Sequence, residues 1–342
     1  MRTMKRIFTI ATLLAAALSA TSAQARHWHG QATTSRSAAA RSSGYSAGSY
    51  VDGCGDDACG DDACFDEASG DLGINYGPPP SEIRKTLMQW SYGTSFGGGP
   101  PGRDEPLESD RPDFTEATTT VGVGVIQIES GYLYTYDDEH HESAKGHLNE
   151  NIIRIGMLAE WFELRFVVAY SSNNSITLDE FIAADGMEDL VVSCKLALTP
   201  QEGILPEMLL IPRLTLPTGH DDLTRGEVLA GLHWIYGWDV TDKFGTAGQT
   251  IIEREIDEVG RGFMEVAQSW NVSYSLTDRF SVYGEWVGIF PTGATGVPVE
   301  YFFDGGILFL VTNDLQLDVF GVKGLNAVAD DYGIGGGVTV RF

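Results

Sequence analysis

Positive charge is what this sequence has least of. Lysine and arginine together number 22 against 48 aspartates and glutamates, a formal charge of −26 over 342 residues. Setting aside Arg2, Lys5 and Arg6 of the amino-terminal segment leaves 19 − 48 = −29. Such a chain repels polyanions, which excludes nucleic acid as a partner. Cysteine is scarce as well: Cys54, Cys59 and Cys64 share one tract and Cys194 stands far away, which is no disulfide framework. Beyond residue 25 there is no apolar run of the ~20 residues that a spanning helix needs. If the chain crosses a bilayer, only a closed β-barrel can take it across. With 41 glycines and 20% charged residues, a helical bundle or solenoid is excluded too.

What is present begins with a secretory signal. Three basic residues precede the apolar run Ile7 to Ala20, and Ala23-Gln24-Ala25 has the small-x-small form of a cleavage site, so residues 1–25 are expected to be removed. Residues 26–105 are rich in Ser, Ala, Gly and Asp and contain the repeat Cys54-Gly55-Asp56-Asp57-Ala58, Cys59-Gly60-Asp61-Asp62-Ala63. They read as a largely disordered acidic segment, because little in them can bury a core. The repeat matches no zinc-ligand spacing, and His27 and His29 are two histidines in a tail, so no metal or other cofactor is expected. Residues 106–121 form a lead-in, and 122–342 carry the folded unit.

In that unit the texture is alternation with period two. Phe162, Leu164 and Phe166 interleave with Glu163, Arg165 and Val167; Leu190, Val192, Cys194 and Leu196 interleave with Ser193 and Lys195. Each such stretch predicts a strand with one apolar and one polar face. Twelve segments can be counted, starting near Val123, His147, Trp161, Glu188, Pro206, Glu227, Lys243, Gly262, Arg279, Val299, Leu315 and Asp331. Short polar turns such as Thr241-Asp242-Lys243 and Thr277-Asp278-Arg279 alternate with longer loops at 137–146, 171–186, 218–225, 253–261, 291–298 and 324–330. That layout predicts an all-β, transmembrane, antiparallel up-and-down barrel of about twelve strands, with both ends on the short-turn, periplasmic side. A basic residue on the lipid face at mid-membrane would cost about 2–4 kcal/mol, so the mid-strand charges must share the polar phase. They do, which predicts an inward set of Glu129, Arg154, Glu163, Arg165, Asp189, Lys195, Arg213, Glu285, Asp304, Asp318 and Arg341. The final strand ends on Phe342 after Val338 and Val340, and so resembles the carboxyl-terminal signal read by the outer-membrane barrel assembly machinery.

The stretch Asp110-Arg111-Pro112-Asp113-Phe114-Thr115-Glu116, followed by Gln127-Ile128-Glu129-Ser130-Gly131-Tyr132, resembles the opening of an outer-membrane barrel family labelled phenol MetA-pathway degradation protein, many of whose members are called transporters. Further matches are Trp161-Phe162-Glu163-Leu164-Arg165, Leu214-Thr215-Leu216-Pro217-Thr218-Gly219, Tyr283-Gly284-Glu285-Trp286 and Gly335-Gly336-Gly337-Val338. The resemblance covers about residues 107–342 and implies an outer-membrane location and solute transport.

Three classes of function follow. In the first, the barrel is a passive channel for small solutes, hydrophobic or aromatic ones among them, with the inward charges lining the pore; a lumen closed by the same side chains is the alternative. Asp110, Arg111 and Asp113 then either tuck into the mouth as a plug, pairing Arg111 with an inner carboxylate, or belong to a linker. In the second, the barrel is a surface protein tethered by its acidic tail. In the third it is a lipid-acting enzyme. The third needs a serine beside an oriented histidine, yet His233, the one mid-strand histidine, shares the inward phase, opposite to Leu232 and Trp234. No catalytic residue is assigned. The expected partners are outer-membrane lipid, the assembly machinery and a small solute. Acidic loops should draw cations to the mouth.

Overall fold

The computed structural model describes residues 85–88, 99–139, 142–176, 181–257, 260–294 and 296–342. The signal segment, the Cys54, Cys59 and Cys64 tract, His27, His29, His140 and His141 lie outside the described residues. In chain order the strands are β1 (Ile126–Glu139), β2 (Glu142–Gly156), β3 (Phe162–Ile176), β4 (Phe181–Met187), β5 (Leu190–Thr199), β6 (Glu207–Leu216), β7 (Leu229–Asp239), β8 (Phe244–Ile256), β9 (Gly262–Ser275), β10 (Phe280–Thr292), β11 (Glu300–Thr312), β12 (Leu315–Gly324) and β13 (Tyr332–Arg341). No helix occurs among the described residues.

Apart from β4 and β5, neighbours in sequence pair antiparallel, and β1 closes the ring on β13 with a register from Gln127 opposite Arg341 to Tyr136 opposite Tyr332. Closure leaves no strand edge with unpaired backbone groups in the wall, the condition for crossing lipid. Twelve strands form the barrel, and β4 is a thirteenth laid against one half of β3. Phe162 to Val167 of β3 pair with β5, and Tyr170 to Ile176 pair with β4. The alternation pattern leaves 171–186 as a loop, because Ser171, Ser172, Asn173, Asn174 and Ser175 are polar on both faces. Pairing needs only backbone groups, so the ladder runs on where the side chains stop alternating. For the same reason the stretch 137–146 is mostly strand, with Asp137 opposite Ala144.

The short connections 157–161, 240–243, 276–279 and 313–314 gather at one end of the barrel. The two ends of the wall meet there as well, where the Phe342 N–H donates to the Ile126 carbonyl at 2.8 Å. The connections 217–228, 293–299 and 325–331 lie at the other end.

One phase of each strand faces outward. Leu232, Trp234, Ile252, Trp270, Val272, Trp286, Phe303, Ile307, Leu317, Val319 and Ile334 are all exposed. An apolar band of this extent on a barrel is the surface that lipid covers.

The other phase faces the lumen and is not uniformly polar. Ala197, Leu209, Ile211 and Ile235 form one buried apolar cluster across β5, β6 and β7. Leu133, Ile251, Tyr283, Val287, Phe302 and Phe320 belong to a second, against which Phe114 packs. Between these clusters lie the charges.

Candidate functional site

The segment before β1 is threaded into the barrel. It enters at the short-turn end, where Arg103 donates to the Phe342 carbonyl at 2.9 Å and to the Gly124 carbonyl at 3.1 Å, and the Leu107 N–H donates to the Asn313 carbonyl at 2.8 Å. It turns around Arg111-Pro112, crosses the lumen, and comes back as Thr120 donates to the Glu160 carbonyl at 2.5 Å. Gly122 (φ 82°) and Gly124 (φ 77°) then adopt the left-handed conformation that lets the chain fold back into β1. The plug is therefore a re-entrant loop built from the residues directly upstream of the wall.

Its carboxylates meet a basic cluster on β2, β3 and β5. Asp110 lies 3.3 Å from Arg154 and 3.1 Å from Arg165 and also pairs with Lys195. Arg154 is held in turn by Glu129 at 3.0 Å and Glu163 at 2.7 Å. Glu116 pairs with Arg165 at 2.6 Å. Arg154, Lys195, Glu129 and Glu163 are fully buried, so each charge depends on its partners for stabilisation that water would otherwise give.

Across the lumen, on β9 to β12, the wall is acidic. Glu285 accepts the Phe114 N–H at 2.7 Å and the Thr115 N–H at 2.9 Å, and also the Thr115 hydroxyl. Asn271 donates to Asp113 at 2.8 Å. Arg111 donates to Asp318 at 3.4 Å and stacks over Phe320 with its guanidinium carbon 5.7 Å from the ring centre. The guanidinium fits only because Gly131 and Gly337 line the wall beside it; a methyl group at either position would overlap it. The lead-in thus sets Asp110 and Glu116 against the basic side and Arg111 against the acidic side, where Asn271 holds Asp113.

A third contact set involves His233. Its Nε2 lies 2.7 Å from Glu253 Oε1, which also receives Arg213 at 3.2 Å, and its Nδ1 lies 3.6 Å from Glu116. Serving these inner carboxylates, the imidazole faces away from lipid.

On the long-loop side of the plug lies a cavity of about 280 Å³. Asp110, Arg111, Asp113, Phe114 and Glu116 form its floor; Arg213, Arg225, Glu253 and Glu255 line one flank, and Leu133, Leu148, Ile251 and Phe320 give it apolar wall. It is an amphipathic vestibule ending on the chain's own lead-in.

Of the eleven side chains expected to point inward, Arg165, Asp189, Arg213 and Asp304 reach this cavity. Glu129, Arg154, Glu163, Lys195, Glu285 and Asp318 are buried beneath or beside the plug. Arg341 sits at the short-turn end, where it pairs with Asp314 at 2.9 Å and donates to the Glu105 carbonyl at 2.7 Å. Gln127, Gln249, Glu253 and Ser269 are buried in the lumen as well, with Glu116 half-buried, and none was among the expected set; Glu116 lies before the first strand, and β8 and β9 carry no member of that set. Gln127 precedes Glu129 by two positions and bonds it at 2.9 Å, so the phase itself was the signal. The apolar inward residues Leu209 and Ile211 share the phase of Arg213, and Ile235 that of His233, but their side chains are not polar.

A family model described as "Putative MetA-pathway of phenol degradation" matches residues 109–342. Among solved structures, the COG4313 outer membrane channel from Pseudomonas putida F1 is similar, with 15% sequence identity and a TM-score of 0.53, over 69% of this chain and 100% of that one. The KdgM porin has 13% identity and a TM-score of 0.42 over 63% of this chain and 99% of its own. The NanC porin has 11% identity and a TM-score of 0.39 over 64% and 98%. No curated protein sequence matches the chain.

Proposed function

This chain belongs to the MetA-pathway of phenol degradation family, and on that premise we propose that it is an outer-membrane channel for small solutes, hydrophobic or aromatic ones among them, closed at rest by its own lead-in. The observation that carries the reading is the vestibule of about 280 Å³ whose floor is the plug. The N–H groups of that floor bond wall side chains, Glu129, Glu285 and Gln249, and not the strand ladders, so it can leave without breaking a strand. The mixed lining suits solutes that pair an apolar body with a polar group, as recognition pockets do. In this reading the short-turn end faces the periplasm, the lipid around the band is that of the outer membrane, and the terminal strand ending on Phe342 is what the assembly machinery reads. The inward charges line the route once the plug moves. The reading is non-enzymatic, because His233 is spent on Glu253 and Glu116 inside the barrel.

The test is single-channel conductance of the full chain in a planar bilayer under a salt gradient. Discrete steps with a weak cation preference are expected, since Glu255, Asp221, Asp222 and Asp331 surround the long-loop mouth. An anion-selective reversal potential overturns the selectivity. Silence from protein shown to be folded that persists after residues 26–117 are deleted overturns the channel and favours a closed, tethering barrel.

A further inference from the structure

The geometry points to the cluster Arg154, Arg165 and Lys195 being a carboxylate subsite of the solute route, with Asp110 of the plug acting as its tethered surrogate occupant. This deepens the channel reading and rests on it. The three cations are fixtures of the wall, on the neighbouring strands β2, β3 and β5. Arg154 is clamped to Glu129 and Glu163, which are wall residues too, so it stays in place when the plug departs, while Lys195 gives up its bonds to Asp110, Ala117 and Thr119. Within it the wall supplies three positive charges against those two carboxylates. The lead-in meets the remaining positive charge with two carboxylates: Asp110, which touches all three cations, and Glu116, which pairs with Arg165 alone. When the plug leaves, a basic position that fits a carboxylate is uncovered and uncompensated.

A solute can reach it. Asp110, Glu116 and Arg165 form part of the cavity surface, so the cluster's edge already borders the vestibule. The same cavity offers Phe114 and Phe320 as apolar wall, room for an aromatic or aliphatic body behind the carboxylate. A carboxylate-bearing solute would therefore compete with Asp110 for the cations that hold the plug, and its arrival would itself favour opening. An uncharged amide of the same shape could not, since it brings no charge to exchange for that of Asp110.

The experiment has two arms on the full chain. In the first, Asp110→Ala is titrated with formate and with formamide while thermal unfolding is followed. Formate should raise the melting temperature at concentrations at least tenfold below those at which formamide acts, and the wild type, whose site is filled, should respond to neither. In the second, benzoate and benzamide are titrated against single-channel current and melting temperature. Benzoate should act at concentrations at least tenfold lower in the wild type, and Lys195→Met should bring the two together. Asp110→Gly, which likewise vacates the position, replaces the alanine variant if that one fails to fold. Equal action of benzoate and benzamide, or no formate effect on the vacated site, overturns the subsite while leaving a conducting channel intact. A formate effect alone, without benzoate preference, reduces the cluster to a clamp for Asp110 and likewise overturns it. Carboxylate-specific stabilisation in both arms without any current keeps the subsite and removes the channel.

Discussion

Arg111 occupies the volume that a side chain on Gly131 would need. The guanidinium lies flat against β1 and β13 at two positions that have no Cβ, Gly131 and Gly337. From there it reaches Asp318 and the Phe320 face. Two glycines in the wall thus set the depth to which the plug can enter.

Gly131→Ala should therefore push the guanidinium out of its berth, destabilising the protein by the ~1–3 kcal/mol typical of overpacking and raising channel activity. The test is whether Arg111→Ala suppresses the effect: the double variant should be no less stable than Arg111→Ala alone. A full additive loss would mean that Gly131 acts on the strand and not on the plug.

Arg154→Met should be severe. It leaves Glu129 and Glu163 buried without their principal cation, and breaking a buried pair from one side costs about 3–5 kcal/mol. Lys323→Ala removes an exposed pair with Asp331, where a surface ion pair contributes roughly 0–1 kcal/mol. Denaturant unfolding in the same lipid should separate the two by several kcal/mol.

Thr115 of the plug and Ser269 of β9 bring their hydroxyls within 2.5 Å. With Cys54, Cys59, Cys64 and Cys194 replaced by serine, Thr115→Cys together with Ser269→Cys should form a cross-link under oxidation. Current should fall on oxidation and return on reduction. Unchanged current in a protein shown to be cross-linked would falsify the plug as the gate.

Deleting residues 26–98 should leave conductance as it is, because the lead-in from Gly99 onward stays whole. Deleting 26–117 removes Asp110, Arg111 and Glu116 and should raise conductance severalfold in planar bilayers. If both deletions conduct like the full chain, the lead-in does not limit flow.

The wall was legible in the residues themselves. Alternation about Phe162 to Phe166 marks β3, and the rule that charges avoid lipid sorts Arg154, Lys195 and Glu285 to the inside without coordinates. The twelve strands of the barrel were legible, whereas the extra strand β4 was not: Ser171 to Ser175 of β3, on which it pairs, have no apolar phase, so it shows only in backbone pairing. The inward apolar residues Leu209, Ile211 and Ile235 follow the same physics from the other side: a lumen that is filled excludes water, and its lining need not be polar. Pairing of Arg111 with an inner carboxylate was one of two readings of the lead-in, and Asp318 is that carboxylate. That Asp110 would find three cations was not legible, because register across three strands decides which wall charges stand at one depth. Arg154 and Arg165 face each other across β2 and β3, and Glu163 faces Lys195 across β3 and β5.

Arg103 ties the carbonyl of Phe342 to that of Gly124, so the lead-in fastens the seam where the first and last strands meet. Synthesis order gives this a consequence. The lead-in emerges before any of the wall exists, and the strand that shuts the wall emerges last. In the finished molecule the enclosed loop is continuous with β1 and fastened to the seam, so the cylinder can be rolled around a stopper already in place, like a cask coopered about its bung. A variant with a faulty lead-in would then show its defect during manufacture, as slow or failed closure of the seam, before any solute arrived to test the gate.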